Sequence, residues 1–217
     1  VANGTAAQPI VFTSYQPAGS RVTGDWGGLL ILGRAQINDP AGERLAEGGI
    51  DPVKGLYGGG GSPDNNDSSG VLRYVRIEYG GIAFQPNNET NSLTCGGVGK
   101  RTVIEYVQVS YGGDDGFEFF GGNVNCKYLI CNKTVDDMFD TDYGYTGMIQ
   151  YGIGVSDTLI ADISGSNGFE SDNDAGGTGN LPQTNCIFSN ISIIGPRVNT
   201  ATTYNSNFKR AVHLKKN

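Results

Sequence analysis

Three segments of the chain repeat one unit: Asp114-Asp115-Gly116-Phe117-Glu118, Asp136-Asp137-Met138-Phe139-Asp140 and Ser166-Asn167-Gly168-Phe169-Glu170. The phenylalanines lie 22 and then 30 residues apart, each with a carboxylate directly after it. Such a period marks a coiled, stacked architecture, in which each repeated side chain becomes a row. A row of phenylalanines can fill a core. A row of carboxylates needs a cation, a cationic substrate or a proton.

The strands between these units repeat as well. Leu72-Arg73-Tyr74-Val75-Arg76-Ile77-Glu78-Tyr79-Gly80-Gly81 matches Ile104-Glu105-Tyr106-Val107-Gln108-Val109-Ser110-Tyr111-Gly112-Gly113 at an offset of 32. Strict alternation puts Val75, Ile77 and Tyr79 on one face and Tyr74, Arg76 and Glu78 on the other. Lys127-Tyr128-Leu129-Ile130-Cys131 continues the series, and 158–163 and 186–191 are predicted as further strands. With 35 glycines, many Asn/Asp turns and short β-branched runs, the chain reads as all-β. The spacing predicts a parallel β-helix of two or three short strands per turn. An antiparallel sandwich would not return the same Phe-acid unit to the same place after each strand. One domain is expected over 1–217, with loop insertions at about 36–70, 84–101 and 173–183.

A net charge of -7 argues against a nucleic-acid backbone as partner and favours metal ions and neutral or cationic ligands, glycans included. No run of about 18 apolar residues is present to span a bilayer. The chain opens on Val1 and enters a strand almost at once, so it reads as a piece of a longer protein. Open coil ends then call for caps or neighbouring segments. Cys95, Cys126, Cys131 and Cys186 form no CxxC pair and read as small buried apolar residues rather than disulfides. A regular strand would put Cys126 and Cys131 on opposite faces.

Asp25-Trp26-Gly27-Gly28-Leu29-Leu30-Ile31, after Pro9-Ile10-Val11-Phe12-Thr13-Ser14, resembles the opening rungs of secreted right-handed β-helix proteins. The three Phe-acid segments resemble those of pectate-lyase-like envelope proteins of Bacteroides-type Gram-negative bacteria. The resemblance implies a right-handed parallel β-helix of the pectin-lyase-like kind. It also implies a secreted or lipoprotein location, at the cell surface, outer membrane or periplasm.

The acids are the first candidate site. Aligning the phenylalanines stacks Glu118, Asp140 and Glu170, Asp114 with Asp136, Asp115 with Asp137, and Asp142 with Asp172. Rungs about 4.8 Å apart would crowd these charges, and calcium takes about six to eight such oxygens. Capping of turns through backbone N–H groups is the competing role. Pectin-hydrolysing members of the fold imply catalysis by Asp136, Asp137, Asp140 and Asp142, although no Gly-His-Gly accompanies the single histidine, His213. Lyases of the fold use calcium and an Arg or Lys base, for which Arg73, Arg76 and Lys127 are candidates. Trp26, Tyr74, Tyr106, Tyr128, Tyr143 and Tyr145 are candidate carbohydrate-binding aromatics, with Tyr74, Tyr106 and Tyr128 forming an outward ladder. Packing between rungs would use the same rings.

The expected role is binding of extracellular polysaccharide by a surface or secreted β-helix, with calcium ordering its acidic loops. A polysaccharide lyase or glycoside hydrolase, or a structural stalk or adhesin segment, are the alternatives.

Overall fold

A computed structural model describes residues 1–85, 88–197, 199–200 and 203–215. The chain winds as a parallel β-helix with two principal sheets. The first contains Ala2–Asn3, Ile10–Phe12, Val71–Glu78, Val103–Ser110, Cys126–Asn132, Met148–Val155 and Ile187–Ile194. The second contains Leu29–Leu32, Leu93–Val98, Phe117–Gly122, Phe139–Asp142, Ser166–Ser171 and Phe208–Leu214. All neighbours in both sheets are parallel, and the chain passes from first sheet to second once per rung. Among the described residues no helix is long and apolar enough to cross a membrane.

The core lies between the sheets and is built from columns of in-register side chains. Leu93, Phe117, Phe139 and Phe169 form one column, with successive phenylalanine rings stacked at 5.5 Å. Across from it, Val75, Val107 and Leu129 share one column and Ile77, Val109 and Cys131 another. These side chains are fully or almost fully buried, except Phe169, which is partly buried. Each is worth about 1.5–3 kcal/mol of transfer energy when large and apolar, so the columns are the main driving force of the coil.

Strict alternation fails at one point in each rung of the first sheet. Tyr74, Tyr106, Tyr128 and Tyr151 have φ between 49° and 61°, and Asn190 in the next rung has φ 57°. This left-handed residue takes no partner in the register, so the strand changes face there. Cys126 and Cys131 therefore both point into the core rather than to opposite faces. Tyr79 likewise departs from the face of Val75 and Ile77: its φ is 61°, and it stacks on Tyr111 at 5.2 Å. All four cysteines are free.

The strand predicted over 158–163 is a loop that leaves Ile163 and Leu159 in solvent. The rung's strand is Met148–Val155 instead, and glycines at its inward positions conceal it. Gly152 and Gly154 stand in register with Leu129 and Cys131. A Cβ on Gly154 would lie 2.2 Å from Met138 Sδ, so neighbouring side chains already fill the space.

The insertion expected at 84–101 is shorter than that. Ile82–Gln85 and Asn88–Thr90 form an antiparallel hairpin, and residues 86 and 87 lie outside the described residues. Leu93–Val98 is a fully buried strand of the second sheet. Its Thr, Cys and Gly content hid it. Residues 36–70 carry a second hairpin, Arg44–Leu45 with Leu56–Tyr57. Ile37, Ala46 and Tyr57 pack on Phe120, Tyr143, Leu30 and Leu32, roofing one end of the second sheet's outer face. In the 173–183 loop, Asn173 is fully buried and donates through Nδ2 to the carbonyls of Thr178 and Asn180.

Candidate functional site

The outer face of the second sheet changes character from rung to rung. One column runs Leu30, Thr94, Glu118, Asp140, Glu170, His213. The next runs Leu32, Gly96, Phe120, Asp142, and Asp172 and Lys215 continue it on the last two rungs. The face thus passes from apolar and roofed, through acidic, to cationic. Glu118, Asp140 and Glu170 stack as the spacing of the phenylalanines implied.

At the turn before each strand lies a third column. Asn91 Oδ1 accepts the backbone N–H of Asp115 at 3.2 Å, and Asp115 Oδ1 accepts that of Asp137 at 2.8 Å. Asp137 Oδ1 accepts that of Asn167. Side chains of one position therefore satisfy the backbone of the next rung, which is the turn-capping role considered above. The two asparagines close the ends of the column and reach sideways. Asn91 Nδ2 donates to Glu118 Oε2, and Asn167 Nδ2 donates to Glu170 Oε2 at 3.1 Å.

The acids are crowded and mostly buried. Asp115, Glu118 and Asp137 are each under 9% exposed. Single carboxylate oxygens of Asp114, Asp115 and Asp136 lie within 4.8 Å of one another, as do those of Asp115, Glu118 and Asp140, and those of Asp137, Asp140 and Glu170. Burial first, then neighbouring carboxylates, pushes Asp115, Glu118 and Asp140 well above the carboxylate range. Burial raises Asp136 to about 9 and Asp114 to about 8. Asp137 and Asp142 rise only to about 6, because backbone N–H groups of Asn167 and Tyr143 oppose the effect of burial. Asp136 Oδ1 and Asp140 Oδ1 are buried with no hydrogen-bond partner.

A histidine and a lysine meet the row at one end. His213 Nδ1 lies 2.9 Å from Glu170 Oε2, Lys215 Nζ contacts Glu170 Oε1, and Lys215 Nζ is 3.5 Å from Asp172 Oδ2. Asn91, Asn167, His213 and Lys215 join the row only in the structure; the sequence reading assigns none of them to it. Asn167 stands where Asp115 and Asp137 stand in the other repeats, which was a usable signal. His213 follows a valine instead of a phenylalanine, so the repeat no longer marked it.

The donor set suits a small hard cation that would displace the protons: all oxygen, clustered carboxyl groups, orphaned acceptors. It suits sugar hydrolysis less. Five grooves formed by the described residues are lined elsewhere, and none of these five is lined by an acid of the row. The lyase-type bases are not beside it either. Arg73, Arg76 and Lys127 lie on strands of the first sheet, where Arg73 pairs with Glu105 at 3.0 Å and Arg76 with Glu78 at 3.5 Å.

The aromatic candidates separate. Tyr145 is fully buried, stacks on Phe119 at 4.8 Å and donates to the carbonyl of Val124 at 2.8 Å. Tyr143 is 7% exposed, with the Arg44 guanidinium 4.3 Å above its ring. Trp26 is half-buried and donates from Nε1 to the carbonyl of Glu78 at 2.8 Å. Neither of the two tyrosines offers an open ring face to a sugar. Tyr74, Tyr106 and Tyr128 do form the outward ladder, and Tyr151 extends it. Successive rings stack at 4.4, 4.4 and 5.1 Å. The ladder forms one wall of a trough of about 520 Å³ that follows the coil across Arg76, Gln108, Ile130, Ile153 and Ser192.

No curated protein and no solved structure matches the chain significantly. The family description of the pectate-lyase-like β-helix domain matches residues 1–216. The two-sheet parallel coil and that match together make the chain a member of the pectate-lyase-like β-helix domain family.

Proposed function

We propose that this protein binds extracellular polysaccharide in the trough beside the tyrosine ladder, as a secreted or envelope β-helix of a Gram-negative cell, and that the acid row holds a calcium ion. The trough is the observation that carries the reading: it crosses successive rungs parallel to the coil axis, so a repeating polymer meets a repeating wall. The interior strands of the sheet are hydrogen-bonded on both sides, which removes strand addition of a peptide as a way of filling it.

The tyrosines add a second support. A non-glycine residue in the left-handed region costs roughly 1–2 kcal/mol. Gly or Asn would adopt it more cheaply, as Asn190 does in the next rung, yet four consecutive rungs carry tyrosine. Ring stacking returns about 0.5–1.5 kcal/mol per pair. Stacked rings hide their faces from solvent, so the ligand meets ring edges and phenol groups. Calcium in the acid row would use Asp115, Glu118 and Asp140, or Asp137, Asp140 and Glu170, and would neutralise the sheet's outer face.

Affinity electrophoresis against a polysaccharide panel tests the reading. Wild-type protein should be retarded by at least one polymer, and the double variant Tyr106→Ala/Tyr128→Ala should lose that retardation while still melting cooperatively. Retardation unaffected by the double variant would overturn it. Release of shortened chains during the run would move the reading to a depolymerase.

A further inference from the structure

We infer that the polymer taken by the trough is an uncharged polysaccharide and not a polyuronate; this rests on the trough being the glycan site. The charges along it carry the inference. The column forming its floor runs Arg76, Gln108, Ile130, Ile153, Ser192 in register from rung to rung. Arg76 is the one ionic group among these five, and its Nε lies 3.5 Å from Glu78 Oε1. The rest of the lining includes Ala6, Pro9, the four tyrosines and Asn190, none of them cationic. Beyond the ladder, Arg73 is engaged by Glu105 at 3.0 Å.

A polyuronate carries one carboxylate on every sugar. Across five rungs of about 4.8 Å it would bring several negative charges over a floor with a single, already paired guanidinium. The protein's net charge of -7 adds to the repulsion. A neutral pyranose, by contrast, has a C–H face that packs on Ile130 and Ile153, which are 39% and 44% exposed, while its hydroxyls reach Gln108, Ser192 and the phenols. Lys127 follows Glu105 in register on the column beyond the ladder, outside the trough's lining, and a cluster of three cations lies elsewhere. Arg197, Lys209 and Arg210 line a separate groove of about 270 Å³.

The test compares xylan, mannan and β-glucan with polygalacturonate and alginate in affinity gels containing EDTA, at low salt and at about 0.5 M salt, where charge attraction is screened within a few ångströms. A neutral polymer should retard the protein equally at both salt levels, with retardation lost in Tyr106→Ala/Tyr128→Ala. The acidic polymers should not retard it. Ile130→Lys, which puts a cation on the exposed floor, should weaken the neutral polymer and gain salt-sensitive binding of polygalacturonate. Wild-type retardation by an acidic polymer that disappears in salt and in Arg76→Gln would overturn the inference while leaving the trough as a glycan site. Acidic binding lost only in Lys209→Ala/Arg210→Ala would also overturn it, and would move the anionic ligand to the other groove. Retardation by no polymer at all would overturn both the inference and the glycan reading beneath it.

Discussion

Asp115 Oδ1 accepts the backbone N–H of Asp137, 22 residues on in sequence and one rung on in space, at 2.8 Å. Asp137 repeats the contact with Asn167. The carboxylates of this column therefore have a structural task that needs an acceptor oxygen but no charge. Their charge is a burden, set within reach of Glu118 and Asp140 in a buried environment. That separation of tasks makes the row open to experiment.

Titration is the first consequence. Asp137 and Asp142 are raised to about 6, Asp114 to about 8 and Asp136 to about 9, so the folded chain binds protons that the unfolded chain has lost. For carboxyls raised in this way, the stability they support is full below the ordinary range of about 4 and is lost as pH climbs through the folded values. In EDTA, the melting temperature should fall between pH 5 and pH 9. Calcium should restore it at pH 8, by about 2.7 kcal/mol at a hundredfold excess over Kd. Asp140→Asn should melt higher than wild type in EDTA at pH 8 and no longer respond to calcium. A melting temperature that rises with pH in EDTA would contradict the titration, and an unchanged calcium response in Asp140→Asn would remove the cation from this row.

Asp137→Asn and Asp137→Ala should behave oppositely. The asparagine keeps Oδ1 for the backbone N–H of Asn167, in a column where Asn91 already serves in this way, and it sheds one buried charge. It should be neutral or stabilising at pH 8. Alanine strands a buried donor and should cost about 1–3 kcal/mol. Chemical denaturation of both variants at pH 8 measures the difference, and equal losses would show that the column is not held by these acceptors.

Phe139 is fully buried between Phe117 and Phe169, at 5.5 Å from each, with Phe188 edge-on at 6.4 Å. Truncation to alanine removes the middle of the column, and flanking strands held in register on both sides cannot collapse into the gap. A loss of about 3–5 kcal/mol is expected in urea unfolding. A loss below about 1 kcal/mol would mean that the rung repacks freely, contrary to a continuous core.

Much of the coil was legible because a stacked architecture writes its rows into the sequence. Phe117, Phe139 and Phe169 mark one position of successive rungs, and aligning them places Glu118, Asp140 and Glu170 correctly with no structural knowledge. The same alignment finds the Tyr74, Tyr106 and Tyr128 ladder. Where large side chains are absent the rows vanish from view. Met148–Val155 hides behind Gly152 and Gly154, whose space Met138, Phe139 and Ile191 occupy from neighbouring positions.

The sequence alone therefore determined the fold class, the order of the repeats and the identity of the rows, because each depends on residues recurring at one period. Tertiary structure decided three further things. The left-handed tyrosine turns four strands of the first sheet over, which brings Cys131 to the same side as Cys126. The folding of 36–57 across the second sheet buries Tyr143 beneath Arg44. The last rung sets His213 and Lys215 against Glu170, so that the acid row has a cationic end. Each of these arises from a backbone angle or a contact between segments tens of residues apart. Periodicity records which side chains recur, whereas their burial and their charge partners depend on what the intervening loops fold over them.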